Sequence, residues 1–465
     1  MSASTFLNRS GYSASLLDLS IESLSESLIQ DAAFIGISVP MHTALRLGVE
    51  VAKRIREANA TARIAFLGLY AHLNANYLLK EKLADYVMAG EYEISLLECI
   101  QSVEAGKEFQ PSSLRIQRME YPILTFDSLP PLSKYAKLEM GDVEKNVGTV
   151  ETTRGCKHVC SHCPITPVYA GHFFAIPKEN VLSQIDDLVE KGVEHISFSD
   201  ADFLNGPTHA EHIVKEAHQR HPHLTFDFTT KVEHMVKHQK QFSDFSKCGT
   251  LFVVSAFESL NDTVLHHLKK GHTKEDIVHA LSIAREAGIF IRPSFVPFTP
   301  WETLESYLEL LHFIFEQNLF FCVDPVQLTI RLLIPPQSPL AVDPAMKPYL
   351  KELQPENFSY DWKHPDPRMD ELQQKLSFLA VQNGTFAELL EVSFSVKGCE
   401  IPKTIQIENL VVQNKSIPRM TETWFCCAEP REYVQQISKN NFEWALRSED
   451  LTCRGEEPRA KGSLR

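Results

Sequence analysis

The stretch Thr149-Val150-Glu151-Thr152-Thr153-Arg154-Gly155-Cys156-Lys157-His158-Val159-Cys160-Ser161-His162-Cys163-Pro164 runs from a strand pattern into a loop crowded with thiols. Residues 149–153 alternate in the manner of a strand. The cysteines follow at C-x3-C-x2-C spacing. Three thiolates on one short loop suit three irons of a [4Fe–4S] cubane, whose fourth iron then lacks a protein ligand. An open metal position belongs to catalytic sites, whereas structural sites are closed. Zinc is the alternative at this spacing, with His158 or His162 as a fourth ligand, and would make the chain a non-catalytic zinc-binding protein.

Outward from this loop, strands and helices alternate. A helix is expected at 178–191, a strand at 194–199, a helix near 208–220 and strands at 224–230 and 251–257. A helix at 274–287 closes on Gly288, a C-cap residue. Strands at 289–296 and 326–333 flank a helix near 302–317. Roughly six βα units in succession predict a partial or full parallel (β/α) barrel over residues 147–345. Upstream, apolar runs at 33–39, 62–69 and 85–90 alternate with helical patterns at 44–58 and 77–83. This predicts a doubly wound, Rossmann-like α/β domain over residues 1–105. Residues 106–146, with Pro111, Pro122, Pro130 and Pro131, read as a linker. Residues 346–465 are less regular, with a helix near 368–382 and a strand-like run near 391–396.

The cysteine loop resembles the radical S-adenosylmethionine (SAM) signature, C-x3-C-x-aromatic-C after the first barrel strand, and the resemblance spans about residues 148–340. It implies that Cys156, Cys160 and Cys163 hold a [4Fe–4S] cluster, which reductively splits SAM to a 5′-deoxyadenosyl radical. An electron donor such as flavodoxin or ferredoxin is then implied, acting with a substrate the sequence does not name. His162 takes the aromatic position near the adenine. Asp202, with Asp200 as the alternative, resembles the family's acceptor for the SAM ammonium, since a cation wants a carboxylate. Ser255-Ala256-Phe257-Glu258-Ser259 resembles the Glu-Ser element that assigns Glu258 to the ribose or methionyl part. Arg292 and Lys231 lie on or just after later strands, as candidates for the SAM carboxylate or as structural ion pairs.

Residues 31–100 resemble the cobalamin-binding domain that precedes many such cores, on Phe34-Ile35-Gly36-Ile37-Ser38-Val39, Ile64-Ala65-Phe66-Leu67-Gly68 and Tyr86-Val87-Met88-Ala89-Gly90. The first strand and helix are shortened and the D-x-H-x-x-G element is absent, so His42 reads as a loop histidine. Cobalamin is thus a further cofactor that the resemblance admits, alongside an empty scaffold. A cobalamin-dependent radical SAM methyltransferase and a tRNA-modifying radical SAM enzyme are the alternative functions.

Trp424-Phe425-Cys426-Cys427-Ala428-Glu429-Pro430 is similar to the CUAEP or CCAEP tail of a narrower radical SAM family, in which some members carry selenocysteine where this chain has Cys427. A selenol is a strong nucleophile, so the resemblance implies reactive thiols at Cys426 and Cys427, as a redox couple, a nucleophile or sulfur carrier, or ligands of a second metal centre with Cys399 or Cys453. Cys99, Cys248 and Cys322 sit in apolar patterns and read as core.

Composition narrows the classes. Over 465 residues the formal net charge is −14, which disfavours a nucleic-acid-coating surface. No apolar run is long enough for a membrane span, and residues 1–20 lack a basic segment followed by an apolar one. Cytoplasm is the expected compartment, where crowded thiols among the ten cysteines read as ligands or redox groups.

Overall fold

The computed structural model describes residues 1–382, 384–403, 405 and 417–421. Two α/β units emerge. The first is a four-stranded parallel sheet of β1 (Phe34–Ser38), β2 (Arg63–Leu67), β3 (Tyr86–Gly90) and β4 (Ser112–Arg115), ordered as numbered. The helix His42–Ala58 buries Leu45, Val49, Ala52 and Ile55, a stripe at helical spacing that packs on Ile64 and Phe66. β4 comes from the stretch read as a linker. Gly90 (φ 72°) admits it, because a Cβ there would lie 2.1 Å from the Arg115 carbonyl oxygen.

The second unit is a seven-stranded sheet. Its strands are β5 (Lys137–Met140), β6 (Val143–Val150), β9 (His195–Phe198), β10 (Thr225–Thr230), β11 (Thr250–Glu258), β12 (Phe290–Phe295) and β15 (Arg419–Met420). The small hairpin β7 (Thr153–Gly155) and β8 (Phe173–Ala175) frames the cysteine loop, and β13 (Leu350–Gln354) pairs with β14 (Ser359–Trp362). Spatial order is β12-β11-β10-β9-β6-β5-β15. β6, β9, β10, β11 and β12 run parallel, while β5 and β15 add antiparallel strands at one edge. The sheet is therefore a partial barrel with α/β connections.

Two sequence expectations change. Residues 326–333 form a 3-10 turn, Pro325–Thr329, and a single parallel bridge between Phe298 and Arg331. Here the Gln327 side chain accepts the Phe295 amide at 3.4 Å, taking the place of a strand partner. Residues 391–396 lie in the helix Phe386–Lys397, which opens on a Thr385–Glu388 capping box and ends at Gly398 (φ 77°). Its Phe386, Leu389, Leu390 and Phe394 share a buried face, so packing overrides the β-branched composition. The helix Lys274–Ala287 forms as expected, with a Thr273–Asp276 capping box and Gly288 in the left-handed region.

The two units meet at the cysteine loop. Ala89, just before the end of β3, packs with Val168 and Tyr169. Arg154 Nη1 donates to Glu91 at 3.2 Å and Glu93 at 2.7 Å, both fully buried, and Tyr121 and Tyr169 also donate to Glu91. Two buried carboxylates that would be costly alone are thus paired across the junction. Among the described residues no helix is long and apolar enough to cross a membrane.

Candidate active site

β6 delivers the chain to the loop through Gly155 (φ 81°), where a Cβ would strike the His172 carbonyl oxygen at 2.5 Å. The loop is tied at several points. Lys157 N donates to Asn205 Oδ1 (3.2 Å), Ser161 Oγ to the His267 carbonyl (2.6 Å), and Thr166 Oγ1 to the Cys160 carbonyl (2.8 Å). Cys156, Cys160 and Cys163 line one cavity of about 160 Å³, together with His158, His162, Lys231 and Lys270. Burial pushes the Cys156 thiol up to about 12 and raises that of Cys160, while Lys270 and Lys231 pull the latter back toward thiolate.

Among the described residues, three His, Cys, Asp or Glu donor atoms come within 4.8 Å of one another at His158, Asp202 and His234, and not at the three cysteines. Tetrahedral zinc with Zn–S near 2.3 Å holds its sulfurs about 3.8 Å apart. The three sulfurs are not all within 4.8 Å of one another, and a cubane that takes one cysteine per iron does not require them to be.

Glu258 ends β11, at a register shift, with φ +64°. A buried non-glycine residue in that region is strained by about 1–3 kcal/mol. The bulge re-aims the carboxylate, which meets His162 Nε2 at 3.2 Å and Lys270 Nζ at 3.0 Å. Burial opposes ionisation, but Lys270 and His162 prevail and hold the carboxyl down at about 2. Glu258 and His162, named separately from the sequence, are brought together, and Lys270 is the partner that sequence reasoning missed. Only its place in the Leu268-Lys269-Lys270-Gly271 turn gave a hint.

The two aspartates are spent on the protein. Asp200 accepts from Thr152 N (2.9 Å), Thr152 Oγ1 (2.7 Å) and Thr153 Oγ1 (2.6 Å); burial still pushes it up to about 6. Asp202 Oδ1 accepts from Thr230 Oγ1 (2.7 Å) and Leu204 N (3.2 Å), and Oδ2 faces His234 Nδ1 at 2.7 Å. Burial would raise Asp202, but His234 and Thr230 hold it low. His234 Nε2 in turn meets His158 Nε2 at 3.1 Å. Neither carboxylate lines the cysteine cavity, while Asp200 lines the cavity that adjoins it; sequence spacing does not show which acid turns inward. The chain Asp202–His234–His158 instead braces the cysteine loop from behind, and His234 was not foreseen.

Lys231 lines the cysteine cavity and pairs with Glu233 at 3.2 Å. Arg292 does not join it. Arg292 lines a second cavity of about 190 Å³ in the barrel interior, which shares Met41, Ala201 and Thr229 with the first. Cys322 lines this second cavity too, its thiol raised to about 11 by burial, while Cys99 and Cys248 are core. His42 is buried at the head of its helix, its Nε2 2.9 Å from the Asn357 carbonyl oxygen and its ring against Tyr70 and Phe358. Cys399 is exposed. Cys426, Cys427 and Cys453 lie outside the described residues.

Residues 150–314 match the model of the radical SAM superfamily. Among curated proteins, an uncharacterized methyltransferase of Pyrococcus horikoshii is 23% identical over 295 residues, covering 59% of this chain and 62% of that protein. A tRNA-2-methylthio-N(6)-dimethylallyladenosine synthase of Alkalilimnicola ehrlichii is 24% identical, covering 43% of this chain and 47% of the other. This chain thus spans about three fifths or less of the length of these relatives. Among solved structures, OxsB, a cobalamin-dependent SAM radical enzyme with aqua-cobalamin and SAM bound, superposes with TM-score 0.66 at 14% identity, covering 96% of this chain and 68% of that one. The radical SAM methyltransferase TsrM from Kitasatospora setae, with cobalamin and a [4Fe–4S] cluster bound, gives 0.58 at 15% identity, covering 85% and 95%. At such identities the likeness is one of fold.

Proposed function

We propose that this radical SAM enzyme holds its [4Fe–4S] cluster on Cys156, Cys160 and Cys163 and binds SAM across the cavity those cysteines line. The convergence of the three cysteines on one cavity, inside the matched domain, carries the reading. When bound, the cluster supplies one electron to the SAM sulfonium, and the resulting 5′-deoxyadenosyl radical attacks a substrate C–H bond.

The chain's own residues bind and orient. Lys231 and Lys270 give the cavity a cationic wall suited to the methionyl carboxylate. Glu258 does not itself line the cavity but holds Lys270 and His162, which do, and His162 would lie against the adenine. Asp202, His234 and His158 are positioning residues that hold the loop, and Met41 and Leu69 of the N-terminal unit cover the cavity from water. The electron donor is a low-potential protein of the flavodoxin or ferredoxin class. Cys426 follows Met420, which lines the barrel cavity, by six residues. The likeness of Cys426-Cys427-Ala428-Glu429-Pro430 to the CUAEP or CCAEP tail supports a redox or nucleophilic role for Cys426 and Cys427.

A second reading, methyl transfer through cobalamin, is favoured by the N-terminal sheet, whose loops at Met41, His42 and Leu69 face the cysteine cavity. The residues there do not fit a corrin as they stand. His42 is engaged by Asn357, and Leu69 and Ala89 pack in one cluster with Val168 and Tyr169, so the two units would have to part. No step is derived through cobalamin.

The test is anaerobic reconstitution with iron and sulfide, reduction with dithionite and chromatography for 5′-deoxyadenosine. Its formation, and its loss in Cys160→Ala, is the expected result. A colourless protein that takes up zinc refutes the reading. Cys427→Ser is expected to keep SAM cleavage and to stop product formation, and turnover that survives removes the tail from the chemistry. Uptake of hydroxocobalamin, followed by its visible absorption, decides the second reading.

A further inference from the structure

A second cavity lies in the barrel interior beside the one the cysteines line. It opens toward the cysteines, where Met41, Ala201 and Thr229 line both cavities. At its far end Arg292 Nη1 donates to the Pro418 carbonyl (3.1 Å) and Nη2 lies 3.3 Å from Asp324 Oδ2. Arg419 approaches the same Asp324 at 3.5 Å. Two guanidinium groups thus share one carboxylate, Arg292 from the cavity wall and Arg419 from an exposed position, so Asp324 is not spent on Arg292 alone. A guanidinium carries five donors, of which Arg292 spends two. Two residues along β12, on the same strand face, the Ser294 hydroxyl is 93% buried, lines the cavity and has no hydrogen-bond partner. A buried polar atom left unpaired costs about 1–3 kcal/mol and marks a place for a ligand atom. The other acids of the cavity are satisfied: Asp200 by Thr152 and Thr153, Asp227 by His195 at 2.8 Å and Ser197 at 3.0 Å. Phe252 and Val254 supply an apolar wall.

We infer that this cavity is the substrate chamber and that it takes a small carboxylic acid, its carboxylate on Arg292 and a second polar atom on Ser294. The volume, about 190 Å³, falls below the usual range of drug-sized pockets and suits a ligand about the size of a single amino acid. The inference rests on the radical reading above, because the cavity adjoins the one that the cysteines line.

The reconstituted enzyme, with SAM and dithionite, is given three fractions of a cell extract: dialysable small molecules, RNA and protein. Stimulation of 5′-deoxyadenosine formation by the dialysable fraction is expected, and methyl-esterifying its carboxylates is expected to abolish it. Arg292→Gln is expected to need at least about tenfold more of that fraction for the same rate, the loss of one charged hydrogen bond, while binding SAM by calorimetry as the wild type does. Arg292→Lys is expected to recover part of the response. Stimulation confined to the RNA or protein fraction, stimulation that survives esterification, an unchanged response in Arg292→Gln, or no stimulation by any fraction overturns the inference. A fall in SAM affinity in Arg292→Gln overturns it as well and returns Arg292 to the SAM site. Failure of the radical reading shows itself separately, as absence of the cluster and of any SAM cleavage.

Discussion

Lys270→Met removes the cation that holds Glu258 ionised. Both residues are buried to within a few per cent of full coverage, and their charged atoms lie 3.0 Å apart. Removing one partner of such a pair leaves a buried charge and costs about 3–5 kcal/mol. His162 still faces the carboxylate at 3.2 Å, so the lower end, near 3 kcal/mol, is expected. Amide hydrogen exchange along β11 and β12 reads this locally, without requiring the whole chain to unfold at once. A loss of 3 kcal/mol corresponds to roughly a 150-fold faster exchange, since about 1.4 kcal/mol is tenfold. The double variant Lys270→Met/Glu258→Gln removes the charge along with its partner, so it is expected to recover most of the protection. If the two single effects simply add, the residues do not interact and the account of Glu258 fails.

Further consequences follow from the same geometry. Glu258 is depressed from its ordinary value of 4.5 to about 2, so the unfolded chain binds the extra proton between those values. Its contribution, roughly 3 kcal/mol, is present above pH 4.5 and lost as pH falls through 2; Glu258→Gln is expected to flatten acid unfolding curves over that window. Arg154→Met strands the buried Glu91 and Glu93 at the junction and is expected to cost about 3–5 kcal/mol, seen as faster exchange in the helix Tyr92–Glu104. An Arg154→Met protein with wild-type exchange there contradicts the pairing. Gly90→Ala is expected to detach β4 from β3, because neither φ 72° nor the Arg115 carbonyl at 2.1 Å tolerates a Cβ. Full protection of the β3–β4 amides in that variant refutes the close approach.

Sequence by itself determined the elements whose signals are local. Three cysteines at fixed spacing after a strand, the Thr273–Asp276 box with Gly288, and the apolar runs of β1 to β3 each carry their cause within a few residues. The parallel-sheet core and the Rossmann-like unit were legible for that reason. Tertiary structure alone decided what depends on distant partners. β4 is polar and short, and it is a strand only because Gly90 lets it approach β3. Residues 326–333 are apolar enough for a strand, yet Gln327 pairs sideways with β12 and the barrel stays open. The Phe386–Lys397 helix buries a face against Tyr307 and its neighbours, which no short window records. The site divides along the same line. Which acid turns inward, that Lys270 and His162 converge on Glu258, and that Lys231 and Arg292 serve different cavities all depend on side chains far apart in sequence meeting in low-dielectric surroundings. There a charge must find its partner, and only the folded chain determines which one.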